Sequence, residues 1–148
     1  MRGDTPPMQL PLEDVKILDL SHALAGPFCS TMLGDFGAQV VKVEVPGAGD
    51  IARAWGPPFY NTETAYFVSL HRNKKSIEID LKTEAGKELF FRLVERFDVI
   101  LENYRVGTLD KLGLSYDRPA CATLASSTAL SLALARPDRT EITGPLTP

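Results

Sequence analysis

A chain of 148 residues with 44% hydrophobic, 24% charged and 8% aromatic positions has the composition of an ordinary folded domain, which excludes collagenous and strongly disordered classes. Sixteen Lys and Arg against 19 Asp and Glu give a formal charge of −3, and no stretch is basic enough to track a phosphodiester backbone, so nucleic acid is not expected as a partner. No apolar run reaches the ~20 residues of a membrane span, and the polar, Pro-rich start lacks the order of a secretory leader, so the expectation is no membrane and a cytoplasmic location.

Residues 1–11 are expected to be a flexible leader. Residues 15–20 (VKILDL) form a short apolar run rich in β-formers, which predicts a buried strand ending in a loop at Ser21 and His22. Residues 25–37 (AGPFCSTMLGDFG) place Pro27 in a first helical turn and Gly37 at a helix end. Residues 39–44 (QVVKVE) return to the strand pattern, completing a β-α-β unit and predicting a parallel sheet. Residues 46–60 hold three prolines and three glycines around Asp50, Arg53 and Trp55, too irregular for a regular element and long for a bare connection.

Residues 76–80 (SIEID) alternate with period two and predict a strand. In residues 83–97, Leu89, Phe90, Leu93, Val94 and Phe97 share one helical face, with acids early and Arg late. Residues 98–103 (DVILEN) predict a further strand and residues 106–113 a short helix with a glycine stop. Beyond residue 117 the grammar changes: 19 of the last 31 residues are Ala, Leu, Ser or Thr and none is Lys, Phe, Tyr or Trp. Residues 120–135 are the one stretch there with a helical option. Cys29 and Cys121 are too far apart in sequence for a pairwise metal motif and too few for a disulfide framework, so both are expected to be plain thiols and no metal is expected.

Neither Gly-x-Gly-x-x-Gly nor Gly-Lys-Ser/Thr follows the first strand, which counts against a nicotinamide dehydrogenase or a phosphate-cradling loop. Together, however, residues 19–44 (DLSHALAGPFCSTMLGDFGAQVVKVE), 46–58 (PGAGDIARAWGPP), 73–90 (NKKSIEIDLKTEAGKELF) and 102–114 (ENYRVGTLDKLGL) resemble, in order and spacing, the N-terminal part of the family III CoA-transferases, over residues 12–117. The resemblance implies an α/β, Rossmann-like fold with a largely parallel sheet and flanking helices, truncated from a larger interlocked homodimer. It also implies acyl-CoA and a free carboxylic acid as small-molecule substrates, with coenzyme A exchanged through an aspartyl anhydride.

By matching positions, the resemblance implies CoA contacts at Ala23, Leu24, Val45, Ile79, Lys82, Asn103, Tyr104 and Lys111. Lys82 and Lys111 suit phosphates, and Tyr104 offers a face to adenine. Val45 stands where members commonly carry Arg, which removes a planar cation. The family's nucleophilic Asp lies beyond the matching region, so no catalytic residue is expected here and the chain alone is expected to be inactive. Residues 118–148 are expected to be a non-family tail, read in a shifted frame and poorly ordered. The alternative is a non-catalytic CoA-binding module or a subunit partnering an intact paralogue.

Other polar residues have competing roles. His22 could polarise a thioester carbonyl or bond its own loop. Asp19, Asp35 and Asp50 are carboxylates at turn and helix-end positions, where capping competes with nucleophilic use. Lys74 and Lys75 could meet phosphate or solvate a strand entrance. Arg53 and Trp55 could shape a binding loop or pack it, with packing favoured, and Cys29 is expected as a small core residue.

Overall fold

The chain's organisation is that of a computed structural model, which describes residues 9–114, 122–123 and 131–134. In chain order the elements are β1 (Lys16–Asp19), α1 (Ala25–Asp35), β2 (Gln39–Glu44), a 3-10 turn (Ile51–Ala54), β3 (Phe59–Tyr60), β4 (Glu63–Thr64) and α2 (Ala65–Leu70). They continue with β5 (Lys74–Glu78), α3 (Glu84–Val94), β6 (Val99–Glu102), α4 (Thr108–Lys111), β7 (Ala122–Thr123) and β8 (Ser131–Leu134).

The main sheet has the order β5-β2-β1-β6-β8-β7, and its first four strands are mutually parallel. The expected α/β class with a largely parallel sheet is what forms. Side chains alternate across the sheet and so sort into two layers. Leu18, Leu20, Val43 and Ile100 pack with Phe90, Val94 and Phe97 of the α3 region and Leu109 of α4. Ile17, Val40, Val99 and Leu101 point the other way, with Cys29 and Leu33 of α1 packed against them. That second face changes character along the strands. Toward their carboxyl ends Asp19, Lys42 and Glu44 follow the apolar residues in the same alternation, all three buried.

Several boundaries differ from the sequence expectation. The third parallel strand is Lys74–Glu78 instead of 76–80, because its register is set by pairing with β2, where Val40 meets Lys74 and Glu44 meets Glu78. Residues 51–54, inside the segment expected to be irregular, form a 3-10 turn capped by the Asp50 carboxylate, and α2 follows a two-residue hairpin arm that no periodicity announced. Leu89 is exposed, while Phe90 and Val94 carry the contact of α3 with the sheet. In place of a helix over 120–135, the described parts of that stretch are strands: β8 pairs antiparallel with β6 from Val99–Leu134 to Glu102–Ser131, and β7 pairs with β8. The pairing satisfies backbone groups that β6 would otherwise present as an open edge. Residues 1–8, Cys121 and the rest of the tail lie outside the described residues.

The entry to α3 is built by Thr83, whose Oγ1 accepts from Gly86 N at 3.1 Å, a cap worth ~1 kcal/mol. Gly86 is required by close approach: a Cβ there would stand 1.9 Å from the Asp80 carbonyl oxygen. Alanine in a helix is ordinarily more stable than glycine by ~0.5–1 kcal/mol, but here overpacking reverses the sign. We expect Gly86→Ala to destabilise the chain by about 1–3 kcal/mol in urea unfolding. An unchanged or raised midpoint would contradict this account of the α3 entry.

Candidate functional site

From β1 the chain passes through α1 to β2 and then outward to β5, whereas the crossover through α3 brings β6 to the other side of β1. The direction of winding reverses between β1 and β6, and the crevice outside the carboxyl ends of such strands is where open α/β sheets place ligands. His22, Ala23 and Leu24 leave β1 there, and Asn103 and Tyr104 leave β6. The two segments are clasped: Asn103 Oδ1 accepts from His22 N at 2.9 Å, and Asn103 Nδ2 donates to His22 O at 2.8 Å. The His22 and Tyr104 rings lie 5.1 Å apart. Ala23 takes a left-handed φ of 68°, an uncommon conformation for an L residue that the surrounding bonds must hold. Leu24 precedes α1 as a cap position without a side-chain bond, and with Pro27 lacking an N–H the uncapped first-turn amides are those of Ala25 and Gly26.

A cleft of about 240 Å³ opens at this point, lined by His22, Val45, Ile51 and Tyr104, with Lys42 and Asp50 among its deeper residues. Lys42 Nζ donates to Ser21 O at 2.5 Å and pairs with Asp50 Oδ2 at 2.8 Å. Asp50 Oδ1 accepts from Ala52 N at 2.8 Å and Ala23 N at 3.3 Å. Beside them Glu44 takes a two-point bond from Arg53, at 2.7 and 2.8 Å, and a third from Ser76 Oγ at 2.7 Å. Asp19 accepts from Ser21 and Ser30 and lies 3.4 Å from Lys74 Nζ.

The sequence-derived candidates divide accordingly. Ala23, Leu24, Asn103 and Tyr104 gather at the crevice, and exposed Val45 lines the cleft. Ile79 is a core residue whose N–H donates to Glu44 O at 2.9 Å, and it does not line that cleft. Lys82 and Lys111 are exposed, at the α3 entry and on α4, and do not line that cleft. Lys75 is exposed, but Lys74 neither solvates the strand entrance nor faces solvent: it is buried between Asp19 and the Pro27 carbonyl. Asp35 pairs with Arg72 at the surface, Asp19 is sealed by hydroxyls, and Asp50 caps a turn and pairs with Lys42, so each carboxylate is occupied structurally. Arg53 packs over the Phe67 ring, 3.8 Å from its centroid, and Trp55 leans on Tyr66. Cys29 is half-buried against the α1-side core, and burial raises its thiol. Sequence reasoning missed Lys42, Glu44 and His71. The signal for the first two was present: a cation and an anion two residues apart in an otherwise apolar strand must share a face and find partners.

His71 Nδ1 lies 2.7 Å from the Phe67 carbonyl oxygen and therefore carries the proton, leaving Nε2 as a lone pair 3.9 Å from Asp50 Oδ2. Nε2 makes no hydrogen bond among the described residues. Burial, reinforced by the Lys74 and Lys42 charges, outweighs the Phe67 carbonyl and pushes His71 down to about 4. Burial also pushes Lys74 down to about 8. Burial alone would raise Glu44, but the bonds from Arg53, Ser76 and the Asp50 amide hold it at about 2. All three shifts have the same sign for linkage: between folded and unfolded values the unfolded chain binds more protons, so stability rises with pH. For His71 that window runs from about 4 to 6.5, with stability complete above it and lost below, a loss of up to about 3 kcal/mol. For Glu44 the loss on acidification runs from 4.5 down to about 2. We expect the urea midpoint to fall steadily from pH 6.5 to 4, and His71→Phe, which keeps a ring stacked on Phe67, to flatten that fall. A wild-type profile already flat across that window would contradict the assignment.

No helix among the described residues is long and apolar enough to cross a membrane. No group of three or more His, Cys, Asp or Glu among them is arranged to hold a metal ion. Residues 12–121 match the family model described as CoA-transferase family III. The chain is 54% identical over 107 residues to the succinyl-CoA:glutarate CoA-transferase of Mus musculus, covering 72% of this chain and 24% of that protein. It is 50% identical over 117 residues to the succinyl-CoA–D-citramalate CoA-transferase of Chloroflexus aurantiacus, covering 79% and 29%. A crystal structure of a CAIB/BAIF family protein from Brucella suis superposes with a TM-score of 0.69 at 46% identity, over 74% of this chain and 30% of that one. The chain thus spans 24–30% of the length of these relatives. A sheet whose winding reverses at β1, the clasped loops beyond it and this extent of matched sequence lead to one conclusion: the chain belongs to CoA-transferase family III.

Proposed function

We propose that this chain forms the CoA-binding crevice of an acyl-CoA:carboxylate CoA-transferase and that the group attacking the thioester lies outside residues 12–121. The observation that carries the proposal is the convergence of Ala23, Leu24, Asn103 and Tyr104 at the one point where the sheet's winding reverses, beside the uncapped start of α1. There, first-turn amides suit an anionic phosphate, and the Tyr104 ring suits a flat base. Lys82 and Lys111 serve as outlying cations for the same phosphates, and the Ile79 backbone supplies a polar contact between them. Val45 leaves the rim apolar.

The activities for which these relatives are named support acyl-CoA and a carboxylic acid as substrates. In the intact enzyme a carboxylate oxygen adds to the thioester carbon, the carbon–sulfur bond breaks, and CoA leaves as its thiolate, giving an anhydride on the protein. Asp19, Glu44 and Asp50 do not suit that role, because each is buried and already saturated by cations, hydroxyls or amides. A free nucleophile must be desolvated and unpaired when substrate arrives, and these are desolvated and paired.

Isothermal titration should show the chain binding CoA with one site, and Tyr104→Ala should weaken that binding by about tenfold, the equivalent of one lost ring contact. Exchange of CoA between an acyl-CoA and a free acid should stay at background for the chain alone. Turnover by the chain alone would place the nucleophile within it and overturn the proposal. Activity regained only on mixing with a full-length relative would identify a subunit that borrows its partner's carboxylate.

A further inference from the structure

The Ser21–Leu24 turn is held from both sides. On the β6 side, the Asn103 carboxamide brackets the His22 peptide. On the β2 side, the bonds come from the buried ion pair: Lys42 Nζ to Ser21 O, and Ala23 N to Asp50 Oδ1. Between these anchors sits Ala23 at its left-handed φ of 68°. The side chains of Lys42 and Asp50 are 2% and 0% exposed, so neither can contact a ligand broadly, and a buried ion pair is a poor source of stability compared with apolar residues of the same size. Stability therefore does not explain the pair. Its geometry does: one carboxylate reaches both the turn before α1 and the first turn of the 3-10 segment, and one ammonium reaches the turn's other end.

We propose that Lys42 and Asp50 are positioning residues that hold the Ser21–Leu24 turn in the conformation from which its backbone meets the ligand. Their role toward CoA rests on the binding reading above. Their role in setting the turn does not. If they act only as core filler, any well-packed neutral pair should serve equally. If they act through hydrogen bonds to the turn, the acceptor at position 50 matters even with no charge present.

Single substitutions leave one buried charge uncompensated and can prevent folding, so the test compares two double variants. Lys42→Met with Asp50→Asn keeps an acceptor for Ala23 N. Lys42→Met with Asp50→Leu, nearly the same shape, does not. Neither carries the ion pair, and both have the same net charge. Amide hydrogen exchange should show Ala23 protected in the first and at least about tenfold faster in the second, while amides within β1 and β2 stay comparable. CoA titration should show the first binding at least about tenfold more tightly than the second. Asp35→Asn, at the surface pair with Arg72, serves as the control that should leave both readouts unchanged. Equal Ala23 exchange in the two double variants would overturn the positioning role. Equal CoA affinity despite different exchange would confine that role to the turn's structure and overturn its link to the ligand. If the wild-type chain binds no CoA, the binding reading fails on its own, and the exchange comparison still decides whether the pair sets the turn.

Discussion

An ammonium group in the middle of a parallel strand is the constraint from which much of this chain follows. Lys42 lies in β2 with apolar residues on both sides in sequence and is essentially without solvent contact. A charge so placed demands a partner, because an isolated buried cation costs far more than a domain's net stability. Asp50 is that partner, and to reach it the chain after β2 must fold back over the carboxyl end of the sheet. That return makes the 46–54 segment a structured element in spite of its glycines and prolines, and it brings Arg53 onto Glu44. Thr64 then ties the start of α2 to the same turn through Ala52 O at 2.7 Å.

The same network divides one sheet face into two regions with different tasks. Toward the amino ends of the strands, Ile17, Val40 and Val99 meet α1 in an apolar layer that supplies ordinary packing energy. Toward the carboxyl ends, Asp19, Lys42 and Glu44 replace it with paired charges, and the Lys74 side chain reaches Asp19 from the amino end of β5. An apolar layer there would pack as well but would offer no directed bonds to the loops above it. Gly26 lets the turn after β1 sit close, since a Cβ at that position would stand 2.1 Å from Ser21 Cβ. The core of the opposite face is apolar, with α3 and α4 packed against it, and Glu102 at the end of β6 accepts from Tyr104 N at 2.6 Å.

Under the proposed function, this arrangement separates holding the thioester from reacting with it. The crevice at the sheet's reversal presents backbone amides and an aromatic ring, beside a carboxamide that clasps the His22 backbone; in the function proposed above, the amides and the ring meet phosphates and a base. The carboxylates nearby are all engaged in building the loops. The matched relatives are three to four times longer than this chain's share of them, which leaves room in those proteins for the reacting residues to come from elsewhere.

Much of the fold was legible in the amino-acid order. Short apolar runs at 15–20, 39–44 and 98–103, alternating with helical patterns, fixed a parallel α/β sheet, because a two-residue period and a 3.6-residue period leave different marks on a sequence. The ends of strands also disclosed where Ala23, Leu24, Asn103 and Tyr104 sit relative to the sheet. What sequence alone left open was decided by distances across the chain. Lys74 reads as a strand-entrance lysine until β5 pairs with β2 and brings it to Asp19. Asp50 reads as one carboxylate among several until the 46–54 return sets it on Lys42. His71 has no pattern at all, since its surroundings come from Phe67 of α2, Asp50, Lys42 of β2 and Lys74 of β5 together. Local periodicity records which face of an element is buried. The partner of a buried charge depends on which elements stack above it, and only the tertiary structure determines that.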